Sequence, residues 1–180
     1  MRSLTGAKAL LTDINLGATD VIKLEGLPVL ILKDPYSTLL ANPFFMTVNH
    51  TILCVDDDQD DLHLLQKAIR TIDPLYTIEE AYNGVEAIDL LSKMKARGTL
   101  PALIVLDINM PKMDGRETFL SIKNDEALSD IPVVILSTSS SVLDRIFFHK
   151  KNVEYITKPI HFDTLLSIAE KLLSLIKPAG

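Results

Sequence analysis

From residue 51 onward, short continuous apolar runs alternate with segments whose apolar residues recur every third or fourth position. The clearest runs are TILCV (51–55), LPALIVLD (100–107) and IPVVILST (131–138), and YTIEEAY (76–82) and VEYITKP (153–159) read as further strands. Between them, DLHLLQKAIRTI (61–72) sets Leu62, Leu65, Ile69 and Ile72 at helical spacing. NGVEAIDLLSKMKARG (83–98) places Val85, Ile88, Leu91 and Lys95 along one face and ends at Gly98, a C-cap residue. DGRETFLSIKND (114–125), SVLDRIFFHKK (141–151) and FDTLLSIAEKLLSLIK (162–177) complete the helical segments. Of the adjacent Phe147 and Phe148, one is expected in the core.

Strands that read as unbroken apolar runs are covered on both faces, which alternating helices provide in a parallel sheet. Right-handed crossovers leave only a few doubly wound topologies. In such sheets the ligand site forms at the carboxyl ends of the strands, at the switch point.

The first 49 residues are different material. LPVLILK (27–33) reads as one short strand without a second of comparable quality, and DPYSTLLANPFF carries two prolines. Residues 1–49 are therefore expected to be a poorly ordered N-terminal extension preceding a domain at 50–180. Met46 stands just ahead of the first regular strand, so residues 1–45 read either as a genuine extension or as the product of an upstream start codon, with a natural start near Met46.

Composition sharpens this picture. At 47% hydrophobic and 23% charged residues, the chain is globular. Residues 1–49 hold four basic and four acidic residues, so the net charge of −6 belongs to residues 50–180, where 14 Lys and Arg face 20 Asp and Glu. Such a domain repels a phosphate backbone, which argues against DNA binding. The single cysteine, Cys54, sits in an apolar run, reads as a small buried hydrophobe and fits a cytoplasmic location. No stretch reaches the ~18 apolar residues of a membrane span.

The residues at the strand ends are chemically coherent. The first run ends in Asp56 and Asp57, the third in Asp107, the fourth in Ser137 and Thr138, and the fifth in Lys158 before Pro159. Converging carboxylates repel unless a cation offsets them. Magnesium suits the set, because it takes oxygen ligands and combines one or two carboxylates with phosphate oxygens. A lysine and a hydroxyl beside it are the further groups a phosphoryl anion needs.

The runs CVDDD (54–58), LDINMPKMDG (106–115), ILSTS (135–139) and YITKP (155–159) together resemble the receiver domains of two-component response regulators. The resemblance spans residues 50–177 and implies a flavodoxin-like α/β fold: a doubly wound, five-stranded parallel sheet of order 2-1-3-4-5 with helices on both faces. It implies that Asp107 is the phosphoacceptor and that Asp56, Asp57, Asp107 and the backbone carbonyl of Asn109 hold Mg²⁺. Lys158 would pair with Asp107 and then with the phosphoryl oxygens, and the Ser137 hydroxyl would bond the phosphoryl group. Tyr155 matches the aromatic whose rotamer accompanies that movement. Pro111 turns the MPKMDG loop, Gly115 lends it a permissive backbone, and Lys158–Pro159 is expected to be cis. Asn109 and Ser139 are expected to tune the lifetime of the phosphoryl group. The implied partners are a sensor histidine kinase or histidine phosphotransfer protein and a downstream protein target. With three residues after Lys177, the reading is of a stand-alone receiver acting by protein contact or phosphorelay.

The sequence departs from the family pattern in two places. The interval from Asp57 to Asp107 is several residues longer than the family norm, absorbed by KMKARGTLP, and KKNVEYITKP lacks the Gly–Ala pair common there. Asp58, Asp60 and Asp61 read as the start of the first helix, where aspartates cap amides and favour the positive dipole end. A calcium loop fails because Asp61 and Lys67 stand where Gly and Glu are required. His50, His63, His149 and His161 show no metal-ligand spacing. An aspartate-nucleophile phosphatase built on Asp56 and Asp58 leaves Asp107 unexplained. A phosphorylation-independent binding module is the other alternative.

Overall fold

The computed structural model describes residues 51–176 together with the strands Val21–Ile22 and Leu30–Ile31. The chain divides into two units, Met1–Thr47 and Val48–Gly180. In the first, Val21–Ile22 pairs antiparallel with Leu30–Ile31, within the LPVLILK run, and the expectation of a poorly ordered extension over residues 1–49 lies outside the described residues. Two residues of Val and Ile are too short to stand out as a run.

The second unit follows the alternation seen in the sequence. Its elements are β1 (Thr51–Val55), α1 (Gln59–Ile72), β2 (Thr77–Ala81), α2 (Gly84–Arg97), β3 (Leu103–Leu106), α3 (Gly115–Asn124), β4 (Val133–Ser137), α4 (Val142–Lys150), β5 (Glu154–Thr157) and α5 (Phe162–Ser174). The sheet runs β2-β1-β3-β4-β5, and every pairing is parallel.

Strand side chains alternate between faces, and both faces are buried. Leu53, Val55, Ile104, Leu106 and Ile135 pack with Ala87, Leu91, Phe119, Ile122 and Phe148 of α2, α3 and α4. Ile52, Cys54, Val105, Val134 and Leu136 pack with Leu62, Leu65, Ile69, Leu165 and Leu172 of α1 and α5. At ~1.5–3 kcal/mol for each fully buried large apolar side chain, these two layers supply the main stabilisation of the unit. Phe148 is fully buried and Phe147 partly so, as the sequence anticipated for one of the pair.

Local signals set the helix ends. Asp58 caps α1 by accepting from the amides of Asp60 and Asp61, and Asn83 and Ser141 cap α2 and α4. Asp114 and Glu117 form a reciprocal capping box on α3. Gly98 ends α2 at φ 69°, the left-handed C-cap expected of it.

Four expectations are corrected. Val85 is exposed, and the buried face of α2 runs through Ala87, Leu91 and Met94. Lys95 faces solvent and pairs with Asp125 at 2.9 Å. Ile72, in the last turn of α1, is exposed where the amphipathic pattern put it inside. The Lys158–Pro159 bond is trans, since the described residues contain no cis peptide; trans is the lower-energy isomer even before proline, by roughly 0.5–1 kcal/mol.

Candidate functional site

The parallel ladder continues past the strand ends and fixes the backbone of the site. The Asp56 amide donates to the Ala81 carbonyl at 3.0 Å, and the Asp107 amide donates to Val55 at 2.8 Å. The Lys158 amide donates to Ser137 at 3.1 Å. Each residue is thus held on one more rung of a buried sheet rather than on a free loop, a rigid placement for groups that must meet.

Those groups do meet. Asp56, Asp57 and Asp107 bring carboxylate oxygens within 4.8 Å of one another. Asp56 and Asp107 are buried, whereas Asp57 lies open at the rim. Lys158 reaches over them, with Nζ 2.6 Å from Asp56 Oδ2 and 3.9 Å from Asp107 Oδ1. Burial pushes the Asp56 carboxyl up to about 6, although the Lys158 hydrogen bond and charge oppose it. For Lys158 burial acts downward, but hydrogen bonds to Asp56 and Asp61 outweigh it and hold the ammonium above its ordinary value.

Asp107 is the unusual member. Its Oδ2 accepts the Asn109 amide at 3.1 Å, while Oδ1 is buried with no hydrogen-bond partner. An unsatisfied buried acceptor is costly, by ~1–3 kcal/mol, and marks a place where a ligand or reacting group belongs. The three oxygen donors fit a hard divalent cation such as Mg²⁺, which favours carboxylate over nitrogen or sulfur.

The loop after β3 brings the α3 N-terminus against Asp107. Pro111 accepts the Met113 amide at 2.8 Å, and Lys112 takes the left-handed conformation at φ 68°. Gly115 serves this loop differently from the expectation. Its φ is not positive, and the requirement is close approach, since a Cβ there would stand 2.2 Å from the Asp107 carbonyl oxygen.

Ser137 is fully buried, and its hydroxyl oxygen accepts the Ser139 amide at 3.2 Å. Tyr155 is partly buried, and its hydroxyl donates to the Ser139 carbonyl at 2.8 Å, with Arg145 over its ring. Asn109 is exposed at the rim beside Asp107. His63, His149 and His161 are exposed, and His50 lies outside the described residues.

Two features escaped the sequence reading. Asp61, read as a helix-start residue alone, pairs with Lys158 at 2.7 Å. Only tertiary packing reveals that its side chain points back over the strand ends. The second is a partly buried polar chain in which Asp144 of α4 pairs with Arg116 of α3 and accepts the Ser139 hydroxyl at 2.8 Å. The Ser-x-x-Asp spacing at 141–144 was the legible signal for a helix start there, though not for the ion pair.

The chain matches the response regulator receiver domain family over residues 52–170. It is 34% identical over 123 residues to the probable methanogenesis regulatory protein FilR2 of Methanothrix harundinacea, covering 67% of this chain and 79% of that protein. The crystal structure of the phosphorylated cyanobacterial phytochrome response regulator RcpA superposes with TM-score 0.65 at 34% identity, covering 72% of this chain and 98% of RcpA. The Mn²⁺-bound form of response regulator Rcp1, a protein of Synechocystis sp., gives TM-score 0.63 at 30% identity, over 72% of this chain and 99% of that one.

Proposed function

Because this chain belongs to the response regulator receiver domain family of two-component signalling, we propose that it accepts a phosphoryl group on Asp107 from a phosphohistidine. One observation carries the reading: a buried carboxylate oxygen of Asp107 without a partner, set between Asp56, Asp57 and Lys158. The phosphorylated form of RcpA and the Mn²⁺-bound form of Rcp1 support the same chemistry on a similar fold.

In this reading an Asp107 oxygen attacks phosphorus, the P–N bond to the donor imidazole breaks, and its electron pair stays on the imidazole nitrogen, which takes up a proton. Asp56, Asp57, Asp107 and the Asn109 carbonyl would hold Mg²⁺. When bound, the ion offsets the carboxylates and polarises the phosphoryl oxygens. Lys158 turns its free N–H donor toward the new phosphoryl oxygens, and the Ser137 hydroxyl leaves the Ser139 amide to bond the same group. That movement draws the β4–α4 loop inward and pulls on the Ser139 carbonyl that Tyr155 holds, so Tyr155 turns with it. The donor is a histidine kinase or histidine phosphotransfer protein, and the output is contact with a downstream protein target in the cytoplasm. The acidic balance of residues 50–180 disfavours direct DNA binding. Among the described residues no helix is long and apolar enough to cross a membrane.

The test is labelling of the full chain from acetyl phosphate or a histidine kinase, with Mg²⁺. Label should be base-labile in the wild type and absent in Asp107→Asn. Undiminished label in that variant overturns Asp107 as acceptor, and no label in the wild type favours a phosphorylation-independent binding module.

A further inference from the structure

Lys158 stands between Asp61 and Asp107, and its ammonium lies on the Asp61 side. An ammonium has three N–H donors. Two are engaged at hydrogen-bond distance, with Asp56 Oδ2 at 2.6 Å and Asp61 Oδ2 at 2.7 Å. Asp107 Oδ1 is 3.9 Å away, beyond a hydrogen bond, although it is buried and has no other partner. A buried acceptor should attract the ammonium more strongly than the side chain of Asp61, which is 38% exposed. Something holds Lys158 on the wrong side.

The helix does not need the Asp61 carboxylate. Asp58 caps α1 and takes the amides of both Asp60 and Asp61. The Asp61 side chain is therefore left for Lys158. Lys158 is anchored through its backbone to Ser137, and its ammonium lies between α1 and Asp107.

We propose that Asp61 is a positioning residue that withholds Lys158 from Asp107 in the unphosphorylated protein and so restrains phosphorylation. The proposal rests on Asp107 being the acceptor. A phosphoryl group on Asp107 must draw the Lys158 ammonium toward it against the pull of Asp61. Removing the Asp61 carboxylate that competes for Lys158 therefore favours the phosphorylated form.

The experiment uses the full chain with Mg²⁺. It measures the rate of labelling by acetyl phosphate as kcat and KM, and the affinity for beryllium trifluoride by ¹⁹F NMR. Asp61→Asn should raise kcat and tighten beryllium trifluoride binding roughly tenfold, the factor for removing one competing charged hydrogen bond. Asp61→Glu, which keeps the charge, should restore values near the wild type. In a Lys158→Met background, where Asp61 has no lysine to hold, Asp61→Asn should change beryllium trifluoride affinity by less than about twofold, as expected when a coupled partner is already gone. A wild type that does not label overturns the acceptor assignment and this proposal with it. A wild type that labels, with Asp61→Asn unchanged or slower, overturns this proposal alone. An equal tenfold gain in the Lys158→Met background overturns it too, because the effect would then be bulk charge.

Discussion

The backbone of Gly115 passes so close to Asp107 that a Cβ added there would stand 2.2 Å from the Asp107 carbonyl oxygen. The approach is fixed by the Gly115 amide, which donates to the Ile108 carbonyl at 2.9 Å. Gly98 makes the opposite demand, with φ at 69° and open space where a Cβ would go. Gly115→Ala should therefore lose about 1–3 kcal/mol through overpacking and slow labelling of Asp107 by displacing it. Gly98→Ala should lose about 1–2 kcal/mol through left-handed strain and leave labelling intact. Urea titration with acetyl phosphate labelling checks both, and normal labelling in a correctly folded Gly115→Ala would show that the close approach does not place Asp107.

Asp56 gives the metal-free protein a distinctive pH dependence. Its carboxyl titrates near 3.8 when unfolded and at about 6 when folded. Between those values the folded state binds more protons, so stability falls as pH rises from about 4 to about 6. A shift of this size corresponds to about 3 kcal/mol at 1.36 kcal/mol per unit. Lys158 has the same sign but acts at higher pH: its raised value adds stability that is complete below the ordinary lysine range and lost only above it, so it is constant across this window. Urea unfolding from pH 4 to 7 in EDTA should show the decline, Asp56→Asn should flatten it, and Mg²⁺ should recover the loss near pH 7. A wild-type profile as flat as the variant's would remove Asp56 as its source.

The division between what was and was not legible follows from which forces act locally. The three central strands were legible because burial on both faces demands apolar residues at almost every position, as in Leu103–Leu106, while the edge strands Thr77–Ala81 and Glu154–Thr157 carry polar and exposed positions. Strand-end residues were legible because the ligand position in this topology is set by the sheet itself. Helix faces were less so: hydrophobicity favoured Val85, yet the small Ala87 lies at the sheet and Val85 is left outside. The aspartates after β1 looked alike, and side-chain direction separates them, with Asp58 turned to amides and Asp61 to Lys158. Gly115 was identified correctly but for the wrong reason, because close approach between segments leaves no local trace.

Phe148 and Phe147 are neighbours with unequal roles. Phe148 is fully buried, edge-on to Phe119 at 5.5 Å and to Phe147 at 5.0 Å. Phe147 is only partly buried and lies beneath the cations of Arg116 and Lys151. Phe148→Ala should cost about 3–5 kcal/mol, the range for emptying a core aromatic site. Phe147→Ala should cost about half as much or less, since its truncation leaves water rather than a void. Chemical denaturation of the two variants decides it, and equal losses would contradict the asymmetry.

The polar chain from Tyr155 to Arg116 ties the loop after β4 to two helices. Tyr155 donates to the Ser139 carbonyl, the Ser139 hydroxyl donates to Asp144, and Asp144 pairs with Arg116. Burial works to raise the Asp144 carboxyl, but the Ser139 and Arg116 hydrogen bonds outweigh it and hold it below the usual carboxylate range. The links at its two ends differ in kind. Tyr155→Phe removes one neutral hydrogen bond, at about 0.5–1.5 kcal/mol, and leaves a carbonyl that partly exposed surroundings can rehydrate. Asp144→Ala instead removes the carboxylate that Arg116 pairs with and that the Ser139 hydroxyl donates to, and should cost about 1–3 kcal/mol, because the Arg116 side chain is 34% exposed and water can reach its guanidinium. Replacing both ends of that pair, as in Asp144→Leu with Arg116→Met, should recover most of the loss, because no charge is then left unpaired. Below the lowered Asp144 value the carboxyl is protonated in both folded and unfolded states, so the deficit of Asp144→Ala against wild type should shrink there. Urea midpoints of the three variants at neutral and acid pH provide the measurement. A double variant no more stable than Asp144→Ala would mean that the ion pair is not what the single substitution breaks.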